Sequence, residues 1–197
     1  HNPQLGEMRP DRFIDLAETT GDIIRIGNWV LQEACAQMRR WREQGLPVQR
    51  VAVNVSYRQF TGDNLGDSVR RALADAGLPG HALELELTES LLIEDSDRLA
   101  NTLSSLRAEG VHLSIDDFGT GYSNLGYLSQ FSLSSLKIDR SFVARIRQND
   151  KDLALVNGII QLATSLGLHT VAEGVEDNQS LVLLQQAGCS CAQGYLW

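Results

Sequence analysis

The chain has 197 residues, 43% of them hydrophobic, and a formal net charge of -8. That acidic balance excludes a protein that tracks a nucleic-acid polymer, which needs a basic stripe against the phosphates. No uncharged apolar run reaches the roughly 18 to 20 residues of a membrane-spanning helix, and His1-Asn2-Pro3 opens no signal-peptide core.

No linker or low-complexity tract divides the sequence, so residues 1–197 are expected to form one globular domain. Cys35, Cys189 and Cys191 are odd in number and lack zinc spacing, which points to a reducing, cytoplasmic setting. A membrane anchor elsewhere in a longer parent protein is compatible with that setting.

In chain order, the first helix is predicted from Asp22 to about Arg42, with Ile23, Ile26, Val30, Ala34 and Met38 as its core stripe. Trp29 and Trp41 are expected to pack between helices. A strand follows at Val51–Ser56, where the valines take one face and Ala52, Asn54 and Ser56 the other. Leu65, Val69, Leu73 and Ala76 mark a helix, and Leu83 to Glu89 a strand whose leucines oppose Glu84, Glu86 and Thr88. After a helix carrying Leu99, Leu103 and Leu106, the strand Val111–Asp116 sets His112, Ser114 and Asp116 against three apolar residues. Phe118 to Phe131 reads as a glycine-hinged loop and a short helix. Ser135–Asp139 is a strand with Ser135, Lys137 and Asp139 on one face, followed by a helix carrying Leu153, Val156, Ile160 and Ala163. By the same alternation Val171 shares a face with Glu173, and Cys191 with Gln193. Cys189 and Cys191 are expected to be small core residues.

One alternating strand is ordinary half-exposed sheet. Six strands that each end in a polar group, at Asn54, Glu86, Asp116, Lys137, Glu173 and Gln193, instead indicate a (β/α)8 barrel, whose site is built from the C-terminal ends of its strands. The successive spacings of 32, 30, 21, 36 and 20 residues account for about six of the eight strands. The expected fold is therefore α/β, a modified TIM barrel that is incomplete in this chain.

Asp116 and Asp117 stand side by side where an apolar run meets glycine, and by themselves they are also ordinary turn chemistry. With Asn54 and Glu86 they supply hard oxygen donors, which suit magnesium or manganese better than zinc. A shared aspartate can bridge two ions, and such pairs activate water against a phosphodiester. Lys137 could hold the water or stabilise charge on phosphorus, and Glu173 could take the proton. The bland alternative for Lys137 is neutralisation of its acidic neighbours. A metal-dependent barrel enzyme in which Lys137 removes a proton next to a carboxylate is a further alternative.

The chain resembles the EAL domain, the bacterial family of cyclic di-GMP phosphodiesterases. The likeness runs through Arg9-Pro10-Asp11-Arg12-Phe13, Gly27-Asn28-Trp29-Val30-Leu31, Asn54-Val55-Ser56 and Glu86-Leu87-Thr88-Glu89. It continues through Asp116-Asp117-Phe118-Gly119-Thr120-Gly121-Tyr122-Ser123, Lys137-Ile138-Asp139, Ala172-Glu173-Gly174-Val175-Glu176 and Gln193-Gly194-Tyr195. The resemblance implies hydrolysis of cyclic di-GMP to linear pGpG with two Mg2+ or Mn2+ ions. It implies Asn54, Glu86, Asp116 and Asp117 as metal ligands, and Lys137, Glu173 and Gln193 as the residues that serve the catalytic water and order the site. Asp117, Glu176 and Gln193 are its implied substrate contacts, and Glu89 its support for the loop from Asp117 to Ser123. Glu89 also reads as an acid at a helix N-terminus before Ser90.

The same resemblance implies a homodimer and additional sensor or GGDEF-type domains in a parent protein. The family's Glu-Ala-Leu strand is expected upstream of His1 and its last helix beyond Trp197, so the chain by itself is expected to be weakly active or inactive. A catalytically inactive receptor or regulatory scaffold for cyclic di-GMP is the alternative function. Ser190 stands where the family often has aspartate.

Overall fold

The computed structural model describes residues 6–61, 65–89, 91, 97–120, 128 and 131–197. The chain divides into two compact units, His1–Leu83 and Glu84–Trp197.

In the first unit, α1 (Ile14–Thr20) ends at Gly21 in the left-handed conformation and is followed by the long helix α2 (Ile23–Glu43). The strand β1 (Val51–Val55) buries Val53 and Val55 and leaves Asn54 exposed, as alternation requires. Two helices complete the unit, α3 (Tyr57–Thr61) and α4 (Leu65–Ala76). The buried stripe of α4 contains Leu65, Val69, Leu73 and Ala76, as their spacing predicts. On α2 the buried residues are Ile23, Gly27, Leu31, Cys35 and Met38, so the stripe is rotated by about one residue from the expected one. Gly27 explains the rotation, because the carboxamide of buried Gln59 lies where a side chain at 27 would stand. The helix turns that bare position inward to admit α3. Trp29 consequently faces outward at 60% exposure and does not pack between helices.

The second unit contains β2 from Glu84 onward (β2 is Leu83–Thr88), then β3 (His112–Phe118), β4 (Ser135–Ile138), β5 (His169–Ala172) and β6 (Cys191–Ala192). These strands are parallel and lie in chain order, each beside its successor. The helices α5 (Asp97–Ala108), α6 (Arg140–Val143), α7 (Asp150–Ser165) and α8 (Asn178–Gln186) connect and flank them. Leu85, Leu87, Leu113, Ile115, Leu136 and Ile138 are fully buried on one face of the sheet, which therefore holds the core. Each such side chain contributes about 1.5 to 3 kcal/mol of transfer free energy. The opposite face carries Glu86, Ser114, Asp116, Ser135 and Lys137, the polar half of the alternation.

One register step departs from regular pairing. Ile115 pairs with Leu136 but Phe118 pairs with Ile138, so β3 gains one residue on β4 across Asp116 and Asp117. Asp117 takes up that residue with a φ of 52°, the left-handed region. Such a bulge re-aims side chains, and here it decides the site.

The cysteines are free, and Cys35 is completely buried. Cys191 is exposed and Cys189 half-buried, which corrects the expectation that both are core. Ser190 and Thr170 instead tie β6 to β5 by exchanging bonds, Ser190 N donating to Thr170 Oγ1 and Thr170 N to Ser190 Oγ. Among the described residues, no helix is long and apolar enough to cross a membrane. Most of the loop predicted from Phe118 to Phe131 lies outside the described residues.

Candidate active site

Lys137 organises the site. It is 7% exposed near the end of β4, and its Nζ lies 2.9 Å from Glu86 Oε1, 3.0 Å from Asp116 Oδ1 and 2.7 Å from Glu173 Oε1. Burial opposes the ammonium charge, but hydrogen bonds to Glu173 and Glu86 outweigh it and hold Lys137 above its ordinary value. Lys137 is therefore a cation at any pH the protein meets, with all three of its donors directed at carboxylates.

The acids do not balance that single charge. Asp116, Asp117 and Glu173 each place a carboxylate oxygen within 4.8 Å of the others. Burial raises the Asp117 carboxyl above the ordinary range, and the charges of Asp116, Asp139 and Glu173 raise it further. Burial likewise raises Glu86, against the pull of Lys137. Crowded carboxylates of this kind are relieved by a hard divalent cation, and the all-oxygen donor set fits magnesium or manganese. The cluster of Asp116, Asp117 and Glu173 can coordinate such an ion.

The register slip makes the cluster possible. Neighbouring residues of a regular strand point to opposite faces, so Asp117 would otherwise turn away from Asp116. Its left-handed backbone brings both carboxylates to one side, and Asp117 N donates to Asp116 Oδ1 at 3.1 Å. The following turn is held from the residue after β2: buried Glu89 accepts a bond from Gly119 N through Oε2 at 3.1 Å.

The structure thus brings together Glu86, Asp116, Asp117, Lys137 and Glu173 among the expected residues. Glu176, in the loop between β5 and α8, and Gln193, one residue past β6, are exposed. Asn54 is exposed near the end of β1 in the first unit. Asp139 was not chosen as a site residue from the sequence, yet its charge is one of those that raise the Asp117 carboxyl. Its signal was present, because it shares a strand face with Lys137.

The whole chain, residues 1–197, matches the family described as the EAL domain. It is 46% identical over 195 residues to the bifunctional diguanylate cyclase/cyclic di-GMP phosphodiesterase MucR of Pseudomonas aeruginosa, covering 99% of this chain and 28% of that protein. It is 45% identical over 196 residues to the cyclic di-GMP phosphodiesterase NbdA of the same species, covering 100% of this chain and 25% of that one. The chain thus spans about a quarter of the length of these curated relatives. Among solved structures, the MucR phosphodiesterase in complex with c-di-GMP superposes with a TM-score of 0.93 at 46% identity, covering 99% of this chain and 79% of that one. The EAL enzyme Bd1971, in a form with cAMP and cyclic di-GMP bound, gives 0.91 at 34% identity and covers 99% and 54%. The fold is accordingly that of an incomplete, modified TIM barrel, and the chain belongs to the EAL domain family.

Proposed function

We propose that the domain hydrolyses cyclic di-GMP to linear pGpG with the help of two Mg2+ or Mn2+ ions. The observation that carries this reading is the convergence of the Asp116, Asp117 and Glu173 oxygens within 4.8 Å around a lysine that is already saturated with carboxylates. The names of the MucR and NbdA relatives support the substrate.

In this reading Asn54, Glu86, Asp116 and Asp117 hold the ions, which when bound lower the pKa of water and neutralise charge on the phosphodiester. Lys137 keeps Glu86, Asp116 and Glu173 in place, so that their remaining oxygens are available to a cation. Glu173 accepts the proton of the attacking water. The water oxygen forms a bond to phosphorus while the bond from phosphorus to the 3′ oxygen breaks, leaving the 5′-phosphate and 3′-hydroxyl of pGpG. Gln193 orders the water, and Asp117, Glu176 and Gln193 contact the substrate. Glu89 supports the Asp117 turn through Gly119. The setting is the cytoplasm, within a homodimer whose parent protein carries sensor or cyclase domains. The names of the bifunctional MucR and of the oxygen sensor protein DosP of Escherichia coli, 40% identical over 197 residues, support such domains.

The test is incubation of the full-length protein with cyclic di-GMP and Mg2+ or Mn2+, followed by chromatography. Linear pGpG should appear and EDTA should abolish it. Tight binding of cyclic di-GMP without turnover by metal-loaded protein would favour the receptor reading instead.

A further inference from the structure

The loops that follow β4, β5 and β6 meet with no spare room, and each meeting point is a glycine. Gly174 directly follows Glu173 and turns the chain with a φ of 69°, where side chains are disfavoured. A Cβ placed on Gly174 would lie 2.6 Å from the Cβ of Arg140, the residue after Asp139 at the start of α6. On the other side of the same loop, a Cβ on Gly194 would overlap the backbone N and O of Val175. Val175 cannot easily yield. It is fully buried, its N donates to Gln193 O at 3.0 Å, and its O accepts from Leu196 N at 3.1 Å.

The β5 loop is therefore pressed between the β4 loop and the extension of β6, and it carries Glu173. Glu173 in turn stands 2.7 Å from Lys137. We propose that Gly174 and Gly194 are positioning residues for the hydrolytic site, whose missing side chains set where the Glu173 carboxylate stands against Lys137. This inference rests on the proposed hydrolysis. An added methyl must shift the loop by roughly an ångström, and a misplacement of that size costs on the order of 100-fold in rate.

The experiment compares wild type with Gly174→Ala, Gly194→Ala and Gly174→Ala/Arg140→Gly in the full-length protein. The double variant removes the side chain that the new methyl would strike. Gly158→Ala serves as control, because that glycine lies in α7 with open space around its would-be Cβ. Steady-state kinetics, Mn2+ binding followed by electron paramagnetic resonance, and melting temperature are read for each. Gly174→Ala and Gly194→Ala should lose about 100-fold in kcat with KM within about 3-fold. Mn2+ affinity should fall about 10-fold in the same two variants. The double variant should regain at least about 10-fold of the lost kcat, while the control keeps both. Gly194→Ala carries the same readout if Gly174→Ala does not fold. An active wild type whose foldable glycine variants keep kcat and Mn2+ affinity, or a double variant no better than Gly174→Ala, overturns the inference alone. A wild type that neither binds Mn2+ nor turns over overturns the proposed function and this inference with it.

Discussion

Lys137 Nζ and Glu173 Oε1 lie 2.7 Å apart, the shortest of the three contacts the ammonium makes, although the two residues are not strand partners. In the ladder Lys137 stands beside Val171, and Glu173 lies one residue beyond the end of β5, where its N donates to Ile138 O at 3.1 Å. The pair is thus a diagonal one, Glu173 lying two residues beyond Val171 on the face that Lys137 shares. The ion pair and its two companions, Glu86 and Asp116, leave three acids dependent on one cation.

Removing that cation should expose the dependence. Lys137→Met is expected to lower stability by about 3 kcal/mol in urea unfolding at neutral pH with EDTA, because buried carboxylates lose their partner. Added Mg2+ should narrow the deficit. A variant as stable as wild type under EDTA would show that the carboxylates do not need the ammonium.

Asp117 tests the register slip. Asparagine tolerates the left-handed region and is similar in size, so Asp117→Asn should change stability by less than about 0.5 kcal/mol while weakening Mn2+ binding. Asp117→Val should cost about 1 to 2 kcal/mol more than Asp117→Asn, since a β-branched residue resists a positive φ. Equal denaturation midpoints for the two variants would rule out a left-handed residue at 117.

Cys35 sets a limit on the alkaline side. Burial pushes its thiol from the ordinary value of 9.0 up to about 11. Because the folded value is raised, its contribution is fully present below about pH 9 and is lost as pH rises through about 11. Wild type should therefore lose about 2 to 3 kcal/mol more stability than Cys35→Ala between those limits. Parallel stability curves for the two proteins would contradict this. In native protein at neutral pH, exposed Cys191 should react with a thiol reagent before Cys35 does.

Asp177 acts on the acid side. It caps α8 by accepting bonds from Gln179 N and Ser180 N at 2.9 Å each. The Ser180 backbone bond lowers its pKa below the ordinary 3.8, helped by the Ser180 hydroxyl and Arg147. A depressed folded value means that this stability is present above the unfolded pKa and is lost as pH falls through the folded one. Asp177→Asn keeps a cap acceptor but not the charge. The melting-temperature advantage of wild type over this variant should be visible at pH 7 and vanish as pH drops well below 3.8. An advantage that persists there would assign it to something other than charge.

The strand faces were legible because alternation has a period of two whatever the strand packs against. That rule alone placed Glu86, Asp116 and Lys137 on one face. The same rule, applied strictly, sends Asp117 to the other face, and only the slip of β3 against β4 returns it. On α2 the helical spacing found the right turns but not the angle. Gln59 lying on Gly27 rotates the stripe and turns Trp29 out, a contact between residues 32 positions apart.

By itself the sequence determined which side chains share a strand face, which helices are amphipathic and, through its motifs, the family. These follow from local backbone periods and from residue types, which neighbours do not alter. The tertiary structure decided that the Asp116 and Asp117 carboxylates converge with Glu173, that the charge of Asp139 bears on Asp117, and that a side chain at 174 or 194 has no room. Each of those depends on a register slip or a close approach between separate loops, and such distances arise only when the strands are packed side by side.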